Sequence, residues 1–129
     1  MSTQDVANRF HELVSQGQFR EAMQELYDDH ARHVEAVEMP DMPYPRILEG
    51  KDKLMTMSEH WERANEVHES SCAKPLINDD QFLCEMMIDV TSSEGPMAGQ
   101  RMKMTEQCLY TVKNDKITEA RFFYSMDCG

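Results

Sequence analysis

The alternation of apolar and polar positions in the last quarter of the chain is its clearest signal. Residues 100–112 alternate, Asn114-Asp115 interrupts, and residues 116–126 alternate again. Asn and Asp tolerate positive φ, so a two-residue hairpin turn is the natural joint. Pairing across that turn sets Thr111 against Thr118, Leu109 against Ala120, Gln107 against Phe122 and Thr105 against Tyr124. One face then carries Thr105, Gln107, Leu109, Thr111, Ala120, Phe122 and Tyr124, and reads as a pocket wall holding a single amide. The opposite face carries Glu106, Tyr110, Glu119 and Arg121 beside Ile117 and Phe123, a mixed surface that suits a homodimer interface.

Upstream the period changes from two to three or four. Val6, Phe10, Leu13 and Val14 recur at helical spacing behind a Ser2-to-Asp5 cap, and Gly17 ends the run. Phe19, Ala22, Met23 and Leu26 mark a second, shorter helix, which Tyr27-Asp28-Asp29 closes. Residues 30–39 read as a strand with His33, Glu35 and Val37 on one side, and Pro40, Pro43 and Pro45 make the next segment a loop. Gly50-Lys51-Asp52 opens a third helix with Leu54, Met57 or Ser58, and Trp61 on one stripe. Residues 67–77 and 81–91 then pair around Asn78-Asp79-Asp80, the second strand burying Phe82, Cys84, Met86, Ile88 and Val90. Three helices followed by a curved antiparallel sheet, with one strand inserted before the third helix, is an α+β layout.

Composition narrows the classes. A chain of 129 residues, 40% of them hydrophobic, buries one core, so residues 1–129 are expected to form one domain. The N-terminus lacks the basic-then-apolar order of a signal peptide and no apolar run is long enough to span a membrane, so a cytoplasmic protein is expected. A net charge of −11 without a basic patch argues against nucleic-acid binding. Cys72, Cys84, Cys108 and Cys128 are too widely and irregularly spaced for a zinc site or a secreted disulfide framework, and Cys84 and Cys108 read as small core residues. His33 and Glu35 offer two metal ligands, but nothing completes a shell, so no metal is expected. With no phosphate-cradling glycine loop and no Gly-x-Ser-x-Gly, neither a nucleotide cofactor nor a serine hydrolase is expected.

Particular residues carry a family resemblance: Gly17-Gln18-Phe19, Leu26-Tyr27-Asp28-Asp29, Val34-Glu35-Ala36, Leu48-Glu49-Gly50-Lys51, and Leu109-Tyr110-Thr111-Val112 through Lys116-Ile117. Together they resemble the nuclear transport factor two-like superfamily, in its SnoaL-like and ketosteroid-isomerase-like branch, over residues 5–126. Trp61, Asn65-Glu66-Val67-His68, Gly95-Pro96-Met97-Ala98-Gly99 and Phe122-Phe123-Tyr124 resemble bacterial SnoaL-like proteins without an assigned reaction. The resemblance implies a cone-shaped, cystatin-like α+β barrel, three N-terminal helices packed on a curved antiparallel or mixed sheet, often a homodimer. Its members include isomerases, dehydratases, cyclases and non-catalytic binders, so the fold alone fixes no chemistry.

In isomerase-like members a carboxylate on the first strand shuttles a proton, and Glu35 stands at or within one residue of that place; a one-residue slip substitutes Val34. Among Val37, Phe122 and Trp61 a carboxylate is desolvated and its pKa raised, which improves a general base. His33 shares its face as a modulator. The resemblance puts Phe10 where isomerase-like members have a tyrosine and Gln107 where they have a protonated acid. Phe10 cannot donate, so Gln107, Tyr124 and the Trp61 indole are the available polar anchors, and a true ketosteroid isomerase is not expected. His68 is expected to face Asp89 as a surface pair. The expectation is therefore a pocket for a small apolar or carbonyl-bearing molecule, lined by Phe10, Trp61, Gln107, Phe122 and Tyr124. Within it lies cofactor-independent acid–base chemistry of isomerase, dehydratase or cyclase type through Glu35 and His33; the alternative is a non-catalytic module that binds a small molecule without reaction or serves dimerisation.

Overall fold

The computed structural model describes residues 2–38, 44–95 and 97–124. Met39, Pro40, Pro43, Pro96, Met126 and Cys128, which figured in the sequence reading, lie outside the described residues. Helix α1 (Thr3–Ser15) starts at the expected cap: the Asp5 amide donates to Ser2 Oγ at 3.1 Å and the Ser2 amide donates to Asp5 Oδ2 at 3.0 Å. It buries Val6, Ala7, Phe10 and Leu13 and turns at Gly17, whose φ of +76° needs a residue without Cβ strain. Helix α2 (Phe19–Leu26) buries Ala22, Met23 and Leu26, and α3 (Lys51–Ala64) buries Leu54 and Ala64.

Seven strands form one mixed sheet in the order β2-β1-β7-β6-β5-β3, with β4 pairing beside β3 on β5. They are β1 (Tyr27–Val34), β2 (Ile47–Glu49), β3 (Asn65–Cys72), β4 (Leu76–Asn78), β5 (Gln81–Ser92), β6 (Arg101–Lys113) and β7 (Lys116–Phe123). The α+β architecture read from the sequence is present, and β1 lies parallel to β7 while the other pairs are antiparallel. The core joins the inner faces of α1, α2 and α3 to Phe82, Cys84 and Met86 of β5, Cys108, Tyr110 and Val112 of β6, and Ile117, Ala120 and Phe122 of β7. Among the described residues, no helix is long and apolar enough to cross a membrane.

Three expected boundaries move, each for a local reason. Tyr27 does not end the second helix passively but starts β1, which stops at Val34; Glu35 extends the ladder by one bond, its amide donating to Arg46 O at 2.9 Å. The single strand expected over residues 67–77 is split into β3 and β4 around Pro75, which has no amide to give the ladder. A register shift between Val67 and Glu69 leaves Glu69 opposite Asp89, so His68 bonds Thr91 Oγ1 at 2.7 Å and Asp89 is held by a bidentate Arg101.

The terminal hairpin carries the correction with the largest consequence. Its two-residue turn is as expected, with Asn114 and Asp115 at φ of +51° and +67° and Val112 paired to Ile117. One step further the register shifts: Thr111 pairs with Glu119, so Thr118 is an extra residue on β7, its hydroxyl donating to Thr111 O at 3.3 Å. From there Tyr110 faces Ala120, Cys108 faces Phe122 and Gln107 faces Phe123. On β7 the inward residues are those expected, Ala120 and Phe122. On β6 the faces are exchanged: Glu106, Cys108, Tyr110 and Val112 share the inner side, and Gln107 lies outside, donating to Glu85 Oε2 at 3.0 Å. Tyr110 and Ile117, read as interface residues, are fully buried.

A candidate acid–base site

The site forms where β1 ends beside β7. His33 sits between Leu48 of β2 and Ala120 of β7, its ring 4.5 Å from that of Phe122, and is 6% exposed. Alternation along the strand carries Glu35 to the same side two residues later, where His33 Nε2 donates to Oε1 at 2.6 Å. Tyr124, just past the end of β7, donates its hydroxyl to the other carboxylate oxygen, Oε2, at 2.6 Å. Both oxygens of Glu35 thus hold a short hydrogen bond from a half-buried or buried donor.

Glu106 is the fourth member, and sequence reasoning missed it. On the inner face of β6 it stands opposite Met86 on β5, and Glu35 is close enough for its charge to act on it. Burial first, and then the negative charge of Glu35, push the Glu106 carboxyl up to about 7, against a smaller opposing effect of the Cys108 thiol. Glu35 moves the other way. Burial alone raises its pKa, but the hydrogen bonds from His33 and Tyr124 and the charge of His33 together outweigh that, leaving it below the ordinary carboxylate value. The raised pKa expected for Glu35 is therefore corrected: spacing put His33 on its face, but the Tyr124 donor comes from across the sheet, and the two bonds together outweigh burial. Burial and then the Glu35 hydrogen bond push the Tyr124 phenol up, so it stays protonated as a donor.

Of the residues singled out from the sequence, the structure brings together His33, Glu35, Phe122 and Tyr124. Phe10 is fully buried in the aromatic core, 4.5 Å from the Tyr110 ring and 5.6 Å from Phe82, where it supports the inner face of β6. Trp61 is 42% exposed, which corrects its place on a buried stripe: it shares the Leu54 side of α3 but falls in the helix's last turns, next to an exposed β3. Gln107 is on the outer face, as described above. The signal for Glu106 was present along all of β6, whose even positions read Met102, Met104, Glu106, Cys108, Tyr110 and Val112 while the odd ones read Arg101, Lys103, Thr105, Gln107, Leu109 and Thr111. A lone acid in an apolar row is the residue to suspect.

Two further features bear on the site. The buried Tyr27 hydroxyl has no hydrogen-bond partner among the described residues, and both Tyr27 and Tyr110 lie near enough to Cys108, the inner-face neighbour of Glu106, to be influenced by it. An open groove of about 610 Å³ between the end of α3 and the β5–β6 connection, lined by Arg63, Asn65, Glu66 and Ser92, includes none of the four site residues. No cluster of three or more metal-ligating side chains occurs among the described residues.

A profile of the SnoaL-like domain matches residues 1–124. A crystal structure from Mesorhizobium loti, described as a candidate SnoaL-like polyketide cyclase, is 38% identical over 96% of this chain and 100% of its own, with a TM-score of 0.88. Two more distant structures show the same fold. A nuclear transport factor two-like protein of unknown function from Burkholderia pseudomallei is 11% identical over 97% of this chain and 92% of its own, with a TM-score of 0.73. A hypothetical protein with a ketosteroid-isomerase-like fold from Catenulispora acidiphila, solved in complex with trimethylamine, is 15% identical over 94% of this chain and 85% of its own, with a TM-score of 0.68. No functionally curated protein matches the chain. Match along nearly the whole length to both the domain profile and the Mesorhizobium structure places this chain in the SnoaL-like domain family.

Proposed function

We propose that this protein performs cofactor-independent acid–base chemistry on a small, largely apolar, carbonyl-bearing molecule, with Glu35 as the base and Glu106 as a neutral acid. The observation that carries this reading is that two neighbouring carboxyl groups have pKa values pushed in opposite directions. Such a separation divides base from acid at and just below neutral pH, where Glu35 is ionised and Glu106, titrating at about 7, holds its proton half the time or more. Glu35 removes a proton from the carbon next to the carbonyl, and the electron pair moves onto the carbonyl oxygen. Glu106 donates a hydrogen bond to that oxygen as its charge develops. Protonated Glu35 then returns the proton to another carbon in an isomerisation or to a leaving hydroxyl in a dehydration; in a cyclisation the enolate carbon attacks a second carbonyl, whose π electrons move to its oxygen, and that alkoxide takes the proton from Glu35. His33 and Tyr124 hold the Glu35 carboxylate in place.

A second reading, binding without turnover, draws on the fact that both Glu35 oxygens are already engaged. Solvent deuterium exchange into a panel of small ketones, followed by proton NMR, separates the two. The enzyme reading expects exchange above the buffer rate, reduced roughly 100-fold or more in Glu35→Gln and at least about 10-fold in Glu106→Leu. Ligand-induced shifts at Tyr124 with no exchange above buffer for any ketone establish the binder instead.

A further inference from the structure

Strand β6 outruns the strand beside it. Its pairing with β7 begins at Gln107, opposite Phe123, whereas its pairing with β5 runs unbroken back to Arg101. One further step along the first ladder sets Glu106 beside Tyr124, the donor that holds Glu35, so the acid stands where β7 ends. Among the described residues, 101–106 therefore have a strand on one side only. Burial along the inner row changes at the same point: Val112, Tyr110 and Cys108 are buried in the core, whereas Glu106, Met104 and Met102 are half-buried on the same side of the strand. Across the ladder Met104 faces half-buried Ile88, and Met102 faces buried Val90. Neither methionine belongs to the core cluster. What is left uncovered is a band of thioether side chains one strand wide, leading from Glu106 to the start of β6.

We propose that Met104 and Met102 determine specificity by selecting a ketone that carries an unbranched alkyl chain. The place of the carbonyl, at Glu106, rests on the acid–base reading above; the chain then lies along the overhanging part of β6. Length follows from the strand. Met102 is four residues beyond Glu106, about 13 Å at about 3.3 Å per residue, and an extended chain advances about 1.2 Å per bond, so about ten carbons fit. Width follows from the sheet. Neighbouring strands are about 4.8 Å apart, so a band one strand wide takes a chain a single carbon across, whereas a fused ring would have to lie over Val90, which is already covered. Methionine suits such a ligand, because its unbranched, polarizable side chain rotates to follow a flexible partner.

The probes are straight-chain 2-alkanones from butanone to dodecanone, with the fused bicyclic 2-decalone as the ring counterpart of 2-decanone. NMR of the full chain with methyl-labelled methionine reads affinity and place together, the two signals being assigned by Met102→Leu and Met104→Leu. The dissociation constant should fall about two- to fourfold for each added methylene up to about ten carbons and level off beyond, with the Met102 and Met104 signals shifting. The decanone should bind at least about 10-fold more tightly than the decalone. Met104→Gln, of similar size and checked for folding by circular dichroism, should flatten the dependence on chain length, while Lys103→Ala on the outer face leaves it in place. Affinity indifferent to chain length, a decalone bound as tightly as the decanone, or shifts confined to other methionines overturns the proposal. Deuterium exchange in the same samples tests the acid–base reading separately: graded binding without exchange supports the methionine wall and refutes the base, and exchange without grading does the reverse.

Discussion

Replacing Glu106 with glutamine removes a titration and keeps a hydrogen-bonding side chain of nearly the same size. In the unfolded chain Glu106 ionises at its ordinary value of 4.5, and in the folded protein at about 7. Below pH 4.5 the group is neutral in both states and contributes nothing. As pH rises from 4.5 through about 7 the unfolded chain gives up the proton while the folded protein keeps it, so stability falls; above that range both are ionised and the loss is complete. The gap between the two values corresponds to about 3 kcal/mol, an upper bound because water reaches this half-buried carboxyl. Glu106→Gln should therefore match the parent protein at pH 4 and exceed it by up to about 3 kcal/mol at pH 8. Urea unfolding of both proteins across that range isolates the effect, since groups with depressed values, Glu35 and Asp89 among them, shift both proteins alike. Carbon-detected NMR of the Glu106 carboxyl supplies the direct value, and Glu35→Gln should lower it without restoring 4.5, because burial is the larger cause. Parallel stability curves, or a Glu106 midpoint near 4.5, would refute the assignment of the neutral acid.

Tyr124→Phe removes one of the two donors to Glu35 and should raise the Glu35 pKa; since a depressed carboxylate stabilises above its unfolded value and loses that as pH falls through the folded one, the variant should lose about 1 kcal/mol at pH 7 and less at pH 3, read by urea unfolding. Gln107→Leu should leave both carboxyl titrations unchanged, because the amide is on the outer face; a shift in either by NMR would put it back in the site. The outer face, where Phe123 is 46% exposed beside half-buried Leu109 and Leu83, is the expected homodimer surface in place of the buried Tyr110 and Ile117. Sedimentation at micromolar concentration should show a dimer that Phe123→Glu weakens at least about 10-fold, and a monomer in the parent protein removes the idea.

The helices and most strands were legible because each repeats one short rule. The Ser2-to-Asp5 capping box, the Phe10 and Leu13 stripe, Gly17, and the inward row Phe82, Cys84 and Met86 are local patterns, and each is found where its residues put it. Strand β6 shows what a pairing argument loses. Counting outward from Asn114-Asp115 assumes an unbroken ladder, and one extra residue, Thr118, moves every later partner by one and reverses a face. The strand's own alternation does not depend on the turn, and it marks the inner side correctly by Cys108, Tyr110 and Val112.

The chemistry of the two carboxyl groups was less legible than their positions, because it depends on contacts across long sequence separations. Glu35 is ionised by a histidine two residues away and a tyrosine at position 124; only the first is a matter of spacing. A glutamate among apolar neighbours is read as a raised-pKa base when its donors are unseen, and the same burial without such donors makes Glu106 the acid. Each assignment also depends on the other. Glu106 titrates late partly because Glu35 is already charged, so neutralising Glu35 makes Glu106 a stronger acid and narrows the separation on which the proposed division of labour rests. For that reason Glu35→Gln and Glu106→Gln should not be additive: the pH dependence removed by the second should be smaller in the background of the first, and that difference measures the coupling of base and acid.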